Sequence, residues 1–73
     1  METRTYHIVG IEHEPIAQEM LRDTLHLCNI RTHNMDNGDT FTLHQSHDAH
    51  DALHALLKMT FDDYTVISAL VRS

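Results

Sequence analysis

Small proteins often rely on covalent or metal staples, and this chain has almost none to offer. Its single cysteine, Cys28, excludes an internal disulfide framework and cannot by itself make a thiolate metal site. Two glycines and one proline, none adjacent, leave no linker, repeat or low-complexity tail. No apolar run approaches the ~18 residues of a membrane span, and no basic segment leads into an apolar one, so a soluble, cytoplasmic protein is expected. Basic residues are scarce too. Five Lys and Arg against eleven Asp and Glu give a net charge of -6, which argues against direct binding of nucleic-acid phosphates and suits a basic protein partner. There is no Ser/His/Asp nucleophile arrangement, Gly-rich phosphate loop, paired-carboxylate pocket or HExxH motif. The chain therefore reads as no enzyme. Its 73 residues form one domain (1–73), near the lower limit for folding without staples, and that raises the expectation of a second chain completing the core.

What is present is a clear alternation of elements around one hairpin. In IRTHNMDNGDTFTLHQ, Ile30 to Gln45, Asn37-Gly38 lies between two β-prone runs, and both residues accept the positive φ of a type I′ turn. A two-residue turn sets Asp36 opposite Asp39, Met35 opposite Thr40, Asn34 opposite Phe41, His33 opposite Thr42 and Arg31 opposite His44. Ile30, Thr32, Phe41 and Leu43 then share a core face, while His33, Met35 and His44 share the other. Thr3 to Ile11 reads as a strand with Tyr6 and Ile8 on one side. Pro15 suits the first turn of a helix running to about Cys28, with apolar residues at helical spacing and Asn29 as a left-handed terminator. Ser46 caps a second helix whose stripe is Ala49, Ala52, Leu53, Leu56 and Leu57. Tyr64 to Val71 reads as a strand with apolar residues on both faces.

The order strand, helix, strand, strand, helix, strand predicts an α+β, ferredoxin-like βαββαβ split. Its four-stranded antiparallel sheet would carry both helices on one face, with the first and third strands central. An edge strand that is apolar on both faces points to a homodimer formed through the open sheet face or the fourth-strand edge.

Eight histidines are the compositional outlier. His7, His33 and His44, from adjacent strands, make the one set with the character of a Ni²⁺ or Zn²⁺ site. His47, His50, Asp51 and His54 repeat the i, i+4 chelating spacing along the second helix, but read as a solvated polar face. Cys28 falls on an apolar stripe at a helix C-terminus and reads as buried and structural. Tyr6 and Phe41, the aromatics of the first and third strands, face the core and so offer no platform for stacking RNA bases.

Residues HIVGIEHEPIAQEMLRDTLHLCNIRTHNM resemble the opening half of an ACT-type regulatory domain. Gly10, Pro15, Ile16, Ala17, Leu21, Asn29 and Ile30 carry the resemblance across about half the chain, with Pro15-Ile16 where the family has Pro-Gly. The resemblance implies a regulatory domain that pairs with a second copy. Members bind amino acids between subunits, and the related domain of nickel-responsive repressors binds nickel through strand histidines. The expectation is a non-catalytic, acidic protein-interaction module, regulatory or inhibitory, without catalytic residues or a resident cofactor. The alternative is a Ni/Zn-binding regulatory domain using His7, His33 and His44.

Overall fold

A computed structural model describes residues 1–32 and 35–72. Six elements follow in the expected order: β1 (Glu2–Val9), α1 (Pro15–Leu27), β2 (Met35–Asp36), β3 (Thr40–Gln45), α2 (His47–Thr60) and β4 (Thr65–Leu70). The four-stranded ferredoxin-like sheet is corrected, however. Among the described residues only three full strands stand side by side, β3-β1-β4, all antiparallel. Met35–Asp36 is a two-residue fragment beside the outer edge of β3.

The physical reason lies at the end of α1. Asn29 takes the left-handed conformation (φ 59°) and donates its N–H to His26 O at 3.0 Å, while Ile30 N–H reaches Leu25 O at 2.9 Å. This is a full Schellman cap, with Ile30 packing against the core as its apolar clasp. Ile30, where a longer β2 was expected to begin, is thus still bonded to the helix. Met35 N–H is likewise bonded to Thr32 O at 3.2 Å.

The hairpin register also differs from expectation, by one residue. Met35 lies opposite Phe41 and Asp36 opposite Thr40, leaving three residues in the loop. Asn37 and Gly38 do take positive φ (56° and 78°). Asp39 is the additional loop residue, because its carbonyl accepts from Ile8 N–H of β1 at 3.0 Å. A one-residue slip reverses every side chain. Met35 accordingly packs on the core beside Phe41 instead of lying on the open face.

One hydrophobic cluster fills the space between sheet and helices: Tyr6, Ile8, Ile11 and Phe41 beneath Ala17, Leu21 and Leu25 of α1 and Leu53, Leu57 and Phe61 at α2. Tyr6 and Phe41 stack with centroids 4.9 Å apart. Pro15 opens α1, Thr24 Oγ1 donates back to Met20 O at 2.8 Å, and Ser46 Oγ accepts from Ala49 N–H at 3.2 Å to start α2. No helix among the described residues is long and apolar enough to cross a membrane.

Candidate protein-binding site

The solvated face read from the sequence forms only in part: His47 and Asp51 are exposed, whereas His50 is buried and His54 half-buried. The helix-facing side of β1 is charged at one end (Glu2, Arg4) and apolar at the other (Tyr6, Ile8), and α2 changes character in step. Its inward residues are His50, Leu53 and Leu57, whereas Ala49, Ala52 and Leu56, expected to face the core, are exposed. His50 is fully buried. Its Nε2 faces the carbonyl oxygen of Glu2 at 2.9 Å and must therefore carry the proton. Its Nδ1 then accepts from the Tyr6 hydroxyl at 2.6 Å. Burial pushes the Tyr6 phenol above its ordinary pKa.

Around this pair, Arg4 meets both Glu2 and Asp51, the latter at 3.2 Å. His47 reaches Glu2 Oε1 through Nδ1 at 3.1 Å and Asp51 Oδ2 through Nε2 at 3.2 Å. Hydrogen bonds from His47 and then Arg4 hold the Glu2 carboxyl below the usual carboxylate range. His54 Nδ1 lies 2.7 Å from Ser68 Oγ on β4. These side chains fasten α2 to the sheet. Among the described residues no group of three or more His, Cys, Asp or Glu is arranged to hold a metal ion.

The strand histidines are dispersed. His7 lies opposite Thr40, with Nε2 at 3.4 Å from Asp39 Oδ2, and His44 lies opposite Thr3, with Nδ1 at 2.9 Å from Thr3 Oγ1. Both occupy the open face but sit four residues apart along the ladder, about 13 Å at roughly 3.3 Å per residue. The β1–β3 register thus does not bring His7 and His44 of the strand-histidine set together, and His33 lies outside the described residues. Cys28 is exposed, not buried, because α1 ends with that position turned to solvent.

A concave surface lies elsewhere, where the start of α1 meets the end of α2. A cleft of about 470 Å³ has Ala17, Met20 and Phe61 as its apolar lining and Glu14, Asp62 and Asp63 as acidic groups. Tyr64 completes it, its hydroxyl donating to Glu14 Oε2 at 2.6 Å, a bond that raises the phenol's pKa. None of the described residues lining it is basic. Ile16, which also lines it, is 87% exposed, and Met59, next in sequence to the lining Thr60, is 77% exposed. Apolar lining with an acidic rim receives a Lys or Arg side chain together with its aliphatic stem. The sequence holds this site as two fragments, EHEP and FDDY, with Glu14 and Tyr64 50 positions apart and brought together only by folding; each combines acidic residues with a helix end, and that pairing is the signal that would have marked them.

Compared with known protein families, curated proteins and solved structures, the chain matches none.

Proposed function

We propose that the protein is a non-catalytic protein-interaction module, a small acidic regulatory or inhibitory protein that engages a basic surface on its partner. The observation that carries this reading is the cleft between α1 and α2. It offers apolar lining, three carboxylates and a phenol, with the exposed Ile16 in its lining and the exposed Met59 adjoining Thr60. Acidic groups around such a patch steer a basic partner and set its orientation, while the apolar contacts supply most of the affinity. The resemblance of the first half to ACT-type regulatory domains points to the same class. In this reading the protein acts in the cytoplasm, where a free, exposed Cys28 thiol stays reduced, and it pairs with a second copy of itself.

The test compares immobilised wild-type protein with an Asp62→Lys/Asp63→Lys variant as bait in lysate from the native cell, at low and high salt. The expected outcome is a defined protein retained by the wild type at low salt, released as salt rises and lost with the charge-reversed bait. Binding of the purified protein should then weaken at least about tenfold, the equivalent of ~1.4 kcal/mol. Retention indifferent to both salt and charge reversal would refute the cleft as the binding site.

A further inference from the structure

The two edges of the sheet are finished differently. On one side the outermost segment is the two-residue β2, a length that gives another chain little to pair with. On the other side β4 runs six residues, paired without a bulge to β1, and no further strand among the described residues covers its far side. Nothing blunts it. Between Asp63 and Arg72 there is no charged residue and no proline, and Ile67, Leu70 and Val71 are 47%, 63% and 48% exposed.

The backbone says which groups are available. Val71 N–H donates to Thr3 O at 2.9 Å, and Ile8 N–H turns the opposite way, to Asp39 O. In an antiparallel ladder alternate residues direct their N–H and C=O to opposite sides. The odd-numbered residues of β4 therefore bond β1, and Val66, Ser68 and Leu70 hold theirs out at the uncovered edge. Charge is distributed to match. Asp62 and Asp63 precede the strand, Arg72 follows it, and none of the three takes part in an ion pair among the described residues. A parallel neighbour would set like charges side by side, whereas an antiparallel copy sets Arg72 against the aspartates at both ends.

We infer that β4 pairs antiparallel with β4 of a second copy about a two-fold axis, with Ile67 directly opposite the partner's Ile67, joining the two sheets into one. This rests on the proposal that the chain pairs with itself, and adds the edge and the register. Even residues must meet even residues, so the two central alignments are Val66 opposite the partner's Ser68 and Ser68 opposite the partner's Ser68. The first is chosen because it alone places Arg72 across from the partner's Asp62. It also makes Ile67 a non-hydrogen-bonded pair, in which facing Cα atoms lie about 4.5 Å apart, within disulfide reach.

The experiment combines sedimentation velocity at tens of micromolar with variants at this position. Wild type is expected at twice 8.4 kDa. Ile67→Lys, on an exposed position of the open face, is expected to remain folded by circular dichroism and to lose the dimer peak, as is Ile67→Glu. An equimolar mixture of the two is expected to recover it, because opposite charges then face each other. In a Cys28→Ser background, Ile67→Cys is expected to oxidise to a covalent dimer and Ser68→Cys to stay uncrosslinked. A monomeric wild type overturns both self-association and this edge. A dimeric wild type with a dimeric Ile67→Lys variant and no Ile67→Cys cross-link leaves self-association standing and overturns the β4 pairing.

Discussion

At the scale of single residues, the buried His50 and Tyr6 are the main polar investment of the core. His50 has both ring nitrogens occupied, by the Tyr6 hydroxyl and by the Glu2 carbonyl. Tyr6→Phe keeps the ring that stacks on Phe41 but leaves Nδ1 without its donor. The expected cost is about 1–3 kcal/mol, the desolvation penalty of an unsatisfied buried group, read as a lower urea midpoint at unchanged m-value. Glu2 gives a pH dependence of definite sign. Its carboxyl is held below the ordinary 4.5 by His47 and Arg4, so its contribution is present above that value and lost as pH falls through the lower, folded-state pKa. In an acid titration, Glu2→Gln should lower stability by a constant amount at neutral and alkaline pH and flatten its further loss below pH 4.5. An unaltered acid limb would show that the ion pairs of Glu2 do not contribute.

At the scale of elements, the hairpin is closed by more than its own turn. Gly38 has φ 78°, and a Cβ there would lie 2.6 Å from Gln18 Oε1. Gln18 is not at liberty to withdraw, since its Nε2 bonds Ile11 O at 2.8 Å and Glu12 O at 3.0 Å. Gly38→Ala is therefore expected to destabilise by at least ~1–2 kcal/mol, from the left-handed backbone alone, measured by thermal or chemical denaturation. The existence and boundaries of β1, α1, β3, α2 and β4 were legible to within a few residues, because caps and periodicity are local. Ser46, Pro15, Thr24 and Asn29 each do what their side chains favour. The shortness of β2 was not legible, since it depends on Ile30 donating to the helix behind it.

For the whole molecule, the sheet edge and the cleft are the two surfaces through which we propose that it meets other chains. If β4 pairs with a second copy, folding and association are linked, and the thermal midpoint must rise with protein concentration. Calorimetry from micromolar to near-millimolar protein should show that rise in the wild type and not in Ile67→Lys. A midpoint independent of concentration in the wild type would count against the pairing. The cleft at the opposite side of the fold from the Glu2–Arg4 network uses Glu14 and Asp62–Asp63, which have no relation in sequence and become neighbours only because α1 and α2 lie over one sheet face.

By itself the sequence determined the α+β alternation, the helix caps, the left-handed Asn29, Asn37 and Gly38, and the burial of Tyr6, Ile8 and Phe41, because each follows from local stereochemistry or from a period of two along a strand. The tertiary structure alone decided the hairpin register, the rotation of α2 and the places of the histidines. Register turned on the single long-range bond from Ile8 to Asp39. The rotation of α2 goes with Glu2 and Arg4, charged residues on the covered side of β1: the Glu2 carbonyl meets the buried His50, their side chains meet the exposed His47 and Asp51, and Ala49 and Ala52 are left exposed. Hydropathy ranks a histidine as a surface residue; a tyrosine hydroxyl and a carbonyl at the right distance make it a buried one.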